Sequence, residues 1–428
     1  MPGILVVANP LAGGRPGGQD AAGGGGARLD RLLGELEAIV RGYGLSMTLC
    51  APSLPAGLEG ELARDLAGVG AHSELGNASS PSGTIQPDGM QQPGIGQQSR
   101  RRTYAAIASV GGDGTLSALC RALASIARRL PGGMPGLIEQ PPALPLPPVL
   151  VIPAGTGNSF YRELWGETPW QDAVKAAAEH LVATTSAAKP RAIDLGWIEE
   201  LRTTFVLGAS AGFFRSVLDE ALEARARGRQ ARAEPIVARD GEYDDDPAAG
   251  SRSLYEEAVT MALARFEPPV MRVVVDGELL ADGPVVAVAV GGGRYRGGRS
   301  PVLPRSDPGD GLLDVATVRA TSGGDVVSAL LPLLAGQLDD PGVSYVQGRK
   351  VTISAGPGAI LALEHDGEPD GPATVRGGDQ VRGNSGGAEP AVMARAMTEG
   401  LASCSIRVLP AAVSMFAPVG VPAHPIRT

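Results

Sequence analysis

Aromatic side chains make up only 4% of this 428-residue chain, so its cores must be built mainly from Val, Leu, Ile and Ala. Cysteine is nearly missing. Cys50, Cys120 and Cys404 are scattered and odd in number, which excludes a disulfide framework or a cysteine-based metal site and fits a reducing compartment. The 4 histidines are just as dispersed. Lysine stands only at 175, 189 and 350, none of them beside a glycine loop. With no Gly-x4-Gly-Lys-Ser/Thr, a Walker-type NTPase is excluded, and protein-kinase signatures are missing too. No apolar run reaches 18 residues; the nearest, 326–336, contains a proline, so no spanning helix is expected. Positive charge is in deficit, at a net −9, which argues against a nucleic-acid partner bound by bulk charge. A strand-like run at 4–8 leaves no room for a signal peptide. The expectation is a cytoplasmic protein, at most peripheral to a membrane.

Glycine and proline, by contrast, are abundant, at 61 and 36, and fall in clusters. Three clusters read as low-complexity inserts in a globular chain: 73–102, 131–148 and 374–403. The first ends on Arg100-Arg101-Arg102, which suits either anionic lipid or plain solvation. The second favours polyproline II, as a spacer or a ligand for an SH3-type module.

Between the inserts the chain is organised around Ser109-Val110-Gly111-Gly112-Asp113-Gly114-Thr115-Leu116. A buried-strand run, 104–110, precedes it, and Leu116, Leu119, Leu123, Ile126 and Leu130 follow at helical spacing. Strand, glycine turn and helix together offer backbone N–H groups and a positive helix end to an anion. Asp113 would repel a bare phosphate, and makes sense if a divalent cation lies between them. The same letters also suit a tight turn with an aspartate helix cap.

Further strands are expected at 4–8, 45–50 and 149–152, with helices at 29–40 and 58–66. This βαβα alternation predicts an open, mostly parallel sheet that binds ligands beyond its carboxyl ends, where Asn9, Gly13, Gly14 and Asp113 lie. Gly155-Thr156-Gly157-Asn158-Ser159-Phe160 follows the strand 149–152 as a second loop of the same kind. Asn158 also suits a cap for a helix at 160–164. From about residue 191 the texture changes to strand-like runs separated by Asp-Gly turns, which predicts an antiparallel sandwich. One Arg-rich helix, 216–233, and another near 254–265 interrupt it. The first of these faces either lipid headgroups or solvent.

Gly-Gly-Asp-Gly-Thr resembles the nucleotide loop of diacylglycerol kinases, sphingosine kinases, NAD kinases and, more distantly, phosphofructokinases. The 153–160 stretch is similar to the second signature of the diacylglycerol and sphingosine kinases, although Ser159 stands where many bacterial members carry Asp. Val286 to Gly298 resembles a strand and glycine turn of their second domain, departing at Gly292 (usually Asn) and Arg299 (usually Gly). Asp307-Pro-Gly-Asp310-Gly-Leu312 resembles their metal loop, and Glu364-His-Asp366-Gly-Glu368 their Asp-Gly-Glu catalytic element. Both also read as plain Asp-Gly hairpin turns. Residues 405–418 resemble the family's closing strand pair.

The resemblance implies an α/β first domain, 1–190, of NAD kinase/phosphofructokinase type, a β-rich sandwich, 191–418, and a tail, 419–428. It implies ATP-dependent phosphorylation of a lipid hydroxyl, with ATP and Mg²⁺ as cofactors. Asp366 would be the base, Glu368 would orient it or a catalytic Mg²⁺, and Asp113 would complete the catalytic set. Asn9, Gly111, Gly112, Gly114, Thr115, Thr156 and Asn158 would hold the nucleotide. Asp307, Asp310 and the Leu312 carbonyl would hold a structural magnesium, with oxygen-only ligation that suits that ion. The partners implied are a lipid substrate and a transient peripheral membrane contact, with room for a homodimer and no nucleic acid. An NAD kinase-like enzyme, or a catalytically silent lipid- or nucleotide-binding scaffold, is the alternative.

Overall fold

A computed structural model of the chain describes residues 3–9, 25–50, 58–67, 104–129, 146–155, 157–183, 186–233, 247–297, 299–320, 325–370 and 401–420. Gly13, Gly14, Thr156, Arg100 to Arg102 and the inserts, apart from 146–148 and 401–403, lie outside the described residues.

The first half is a layered α/β unit. β1 (Gly3–Ala8) lies parallel between β2 (Ser46–Cys50) and β3 (Tyr104–Gly111), and β3 pairs in parallel with β4 (Val149–Pro153). The apolar runs of β1 and β3 are buried over most of their length, as both-face-covered parallel strands must be. The helices are α1 (Gly25–Gly42), α2 (Leu58–Ala67), α3 (Asp113–Arg129), α4 (Ser159–Trp165) and α5 (Trp170–Val182). On α3 the stripe Leu116, Leu119, Leu123 and Ile126 is buried, each side chain contributing roughly 1.5–3 kcal/mol. The outcome is the open, mostly parallel sheet expected, with its glycine loops at strand ends.

The second half adds β5 (Ala188–Ile198), β6 (Thr203–Phe205), β7 (Gly208–Gly212), α6 (Phe213–Ala233), α7 (Pro247–Arg265), β8 (Val270–Val275) and β9 (Glu278–Gly291). Then come β10 (Leu313–Arg319), α8 (Val326–Leu334), β11 (Val343–Gly348), β12 (Lys350–Ala355), β13 (Leu363–His365), β14 (Glu368–Asp370) and β15 (Ser403–Pro418). β9 changes partners at Gly283–Pro284, pairing with β8 before it and with β7 and β10 after it. Its alternation shows on both faces. Val288 and Val290 enter the sandwich core, while Ala287 and Ala289 face the layer built from α6, α7 and α8.

β15 joins the halves. Its start pairs with β12, its length runs antiparallel to β5, and Met415 meets Val149 of β4 in parallel. Met415 and Phe416 are buried in the core of the first half. The closing strand pair expected at 405–418 is therefore a single strand, because β5 supplies its partner. The division at 190/191 falls inside β5, which both halves share.

The register of β15 shifts between Leu409 and Val413, where Ala411 adopts φ +50° and its N–H donates to Asp194 Oδ1 at 2.7 Å. Left-handed backbone costs an alanine about 1–2 kcal/mol, and glycine avoids this at some entropic cost. Ala411→Gly is therefore expected to raise unfolding free energy by about 0.5–1 kcal/mol, read from urea denaturation. A decrease would show that the bend is not strained.

Candidate active site

The two glycine loops are packed backbone to backbone. A Cβ on Gly155 would collide with the Gly112 main chain, and the Ala154 N–H donates to the Gly111 carbonyl at 2.8 Å. This close approach is what the glycines permit. Asp113, the first residue of α3, reaches across the contact. Its Oδ2 accepts the Ser159 N–H at 2.9 Å and its Oδ1 the Phe160 N–H at 3.0 Å. These are first-turn donors of α4, which has no side-chain cap of its own. Asp113 is a helix cap after all, but for α4 and not for the helix it begins. Asn158 does not cap α4 with its side chain; its amide is folded back onto the Gly155 N–H and carbonyl, at 3.0 and 2.6 Å. Asn9 completes the cradle by donating to Thr115 Oγ1 at 3.3 Å.

Asp366 arrives from the other half, at the turn between β13 and β14, with φ +48°. Its Oδ2 accepts the Val206 N–H at 2.8 Å, and its Oδ1 accepts those of Leu207 at 2.8 Å and Gly208 at 3.1 Å. These three donors interrupt the strand expected at 204–208, splitting it into β6 and β7. Among the described residues, one acceptor direction on Oδ2 is left over. Asp113 and Asp366 lie within electrostatic reach of each other. Burial pushes the Asp113 carboxyl up, the Phe160 and Ser159 N–H groups oppose that, and the Asp366 charge adds to it.

Glu368 is exposed and meets Arg121, two turns along α3, at 3.4 Å. The same Arg121 Nη2 lies 3.2 Å from Nε2 of the buried His365, whose Nδ1 is 2.5 Å from Asp370 Oδ2. Burial disfavours charge on His365, but the Asp370 carboxylate outweighs this and raises its proton affinity. Arg215 of α6 donates to the Leu363 and Asp370 carbonyls and to Asp219, fixing the hairpin from behind. Beneath Asp366, Glu364 is buried against Ser210 and accepts the Gly367 N–H at 3.0 Å. Arg121, Arg215, Arg296, His365 and Glu364 were not singled out from the sequence. Arg121 and His365, Arg215 and Leu363, and Ser210 and Glu364 are joined across 148 or more residues, and no local pattern announces that.

The Asp307, Asp310 and Leu312 loop stands apart, against β5. Asp307 Oδ1 accepts from Arg191 and from the Gly309 N–H, and Asp310 Oδ1 accepts the Leu312 N–H at 2.9 Å. Asp310 Oδ2 lies 3.4 Å from Gln347 Nε2. Asp194 ties the loop to the β15 bend through the Gly311 N–H at 2.6 Å. Three of the four carboxylate oxygens are thus engaged by N–H donors. Among the described residues no group of three or more His, Cys, Asp or Glu side chains is arranged to hold a metal ion. The loop expected to coordinate magnesium is held here by an arginine and backbone donors.

Asp113→Ala would leave the Ser159 and Phe160 N–H groups without acceptors. It is expected to cost roughly 0.5–2 kcal/mol of stability in chemical denaturation. Gly155→Ala, which forces the loops apart, is expected to cost more than Asp113→Ala. The reverse order would mean that the loops are not held by contact.

Residues 88–195 match the family described as diacylglycerol kinase catalytic domain, and residues 237–415 match the YegS C-terminal NAD kinase beta sandwich-like domain. A solved structure of a candidate diacylglycerol kinase from Bacillus anthracis str. Sterne is 16% identical, with 98% of each chain covered and a TM-score of 0.54. A diacylglycerol kinase structure from the same organism is 14% identical, again with 98% of each chain covered, at a TM-score of 0.52. At such identities these structures speak to the fold alone. No curated protein matches the chain. One match covers the Asp113 loop and the other the hairpin of Asp366, and the chain belongs to the diacylglycerol kinase and sphingosine kinase-like family.

Proposed function

We propose that the chain transfers the γ-phosphoryl group of ATP to a hydroxyl of a lipid such as diacylglycerol or a sphingoid base, with Asp366 as the base. The observation that carries this reading is the convergence of Asp113 and Asp366 from different halves into one electrostatic environment. ATP enters as its magnesium complex. The N–H groups of Gly112, Asp113 and Gly114, at the start of α3, have no intrahelical acceptor and face the phosphates. The paired Asn9 and Thr115 side chains border the same cradle, and Asn158 acts by shaping Gly155. Thr156 belongs to the same loop by sequence.

In the chemical step the lipid hydroxyl gives its proton to the open acceptor direction on Asp366 Oδ2. Its oxygen bonds to the γ-phosphorus, and the bond to the β–γ bridging oxygen breaks, releasing ADP. Positioning and charge carry most of the barrier reduction, and the base adds roughly 10²–10⁴-fold. Glu368, tied to Arg121, holds the hairpin against α3. Membrane contact is peripheral in this reading, since no helix among the described residues is long and apolar enough to cross. Arg225 on α6 is exposed, whereas Arg227 is drawn to Glu223 and Glu257.

The test is labelled ATP offered with a panel of lipids and with NAD. Phosphate is expected in a lipid product; label in NAD alone would overturn the reading. Asp366→Asn is expected to lower kcat by about 10²–10⁴-fold. Because an amide cannot accept at both positions, this variant should also lose about 1 kcal/mol of stability at the 206–208 contact. Wild-type kcat in the variant would place the base elsewhere.

A further inference from the structure

Arg296 sits in the glycine-rich turn after β9 and was read from the sequence only as part of that turn. Its side chain folds back under Asp366. Nη1 donates to the Gly293 and Tyr295 carbonyls at 3.2 and 3.0 Å, and Nη2 donates to the Val290 carbonyl at 3.2 Å. Among the described residues, Nε is shut off from solvent and has no hydrogen-bond acceptor. The guanidinium occupies the side-chain space of both Gly208 and Gly291, where a Cβ would collide with Nη2. Gly208 is one of the three residues whose N–H groups grip Asp366.

The neighbouring Arg294 spends its charge in a buried pair with Glu163, at 2.8 Å. Among the described residues, Arg296 makes no such ion pair: its acceptors are neutral carbonyls. Its field nevertheless reaches Glu364 and Asp366, and beyond them Glu163 and Asp314. A buried cation with an unpaired donor and no direct counter-ion is a poor filler, because its desolvation is only partly offset. Such a group makes sense where its field and bulk hold nearby carboxylates in place. We infer that Arg296 is a positioning residue: by filling the space left by Gly208 and Gly291, its guanidinium sets the 206–208 turn that holds Asp366 and balances the charge of Glu364 and Asp366. The inference rests on the kinase reading for its catalytic consequence, but not for the structural coupling.

Two readouts on Arg296→Met and Arg296→Lys test it, taken on protein whose melting transition shows it to be folded. The first is amide hydrogen exchange at 206–208, which needs no substrate. Exchange there is expected to quicken by about ten-fold or more in Arg296→Met, as it should in Asp366→Asn, with little further change when the two are combined. The second is steady-state kinetics on the lipid that takes up label. Arg296→Met should lower kcat by about 10²-fold, the scale of a misplaced catalytic group, with KM for ATP moving less than about two-fold. Arg296→Lys restores the charge and should recover part of the loss. A role limited to filling space, with no part for the charge, predicts equal kcat in the Lys and Met variants, and that result overturns the inference. So do wild-type exchange at 206–208 in Arg296→Met, or additive exchange effects in the double variant. If the wild-type enzyme labels no lipid, the kinase reading fails and the exchange arm alone decides the coupling.

Discussion

Two backbone N–H groups at the start of α4 and one carboxylate at the start of α3 hold the first half in shape. The Asp113 contact with Ser159 and Phe160 closes one glycine loop on the other. Remove the carboxylate and α4 begins with orphan donors. Without the glycines, the main chains of 112 and 155 could not approach closely enough for Asp113 to reach. The cap and the glycines are therefore one device. It places Asp113, at the start of α3, within electrostatic reach of Asp366.

The second half is fixed to the first by means that are equally non-local. β15 returns from the end of the sandwich to lie along β5 and bury Met415 and Phe416 in the first core. The buried Glu163–Arg294 pair joins α4 to the glycine turn after β9, with Arg294 donating from its backbone N–H, Nε and Nη2. Burial pushes the Glu163 carboxyl up and the Arg294 charge opposes it. Splitting such a pair would strand one charge in a dry setting, at a cost of about 3–5 kcal/mol. Asp113 and Asp366 thus sit on two bodies that a strand and an ion pair hold in register.

What could be read from the sequence was whatever periodicity or loop chemistry encodes locally. The strands 4–8, 104–110 and 149–152 are unbroken apolar runs, and α3 carries its leucine stripe, so both emerge close to their observed bounds. α5 was missed because its buried face is mostly alanine (Ala173, Ala177 and Ala178 beside Val174), too weak an apolar signal to mark a stripe. α8 hid inside an apolar run that contains Pro332, although Asp325 caps it by accepting from Val327 and Ser328. In the site, Asp113 and Asp366 were recognisable as chemistry-bearing residues, but their partners were not. Which N–H groups a carboxylate accepts is decided by tertiary packing, so the α4 cap and the 206–208 grip leave no trace in spacing.

The two departures from the family's glycine turn can now be weighed by position. Arg299 stands where a third glycine is usual, and its side chain is 75% exposed, reaching Glu167 on the surface at 3.4 Å. It points away from the turn's interior, so it takes nothing from the site. Gly292 stands near where the family usually has asparagine, and a Cβ there would touch Pro308 at ordinary van der Waals distance. The substitution removes a side chain without opening a strained backbone. The arginine of that turn that does bear on the site is Arg296, because its guanidinium lies against Gly208 and Gly291, and the Gly208 N–H donates to Asp366. A glycine-rich turn with two inward-folded arginines, one paired with Glu163 and one not, divides its work accordingly: Arg294 fastens the halves together, and Arg296 keeps its charge for the carboxylates.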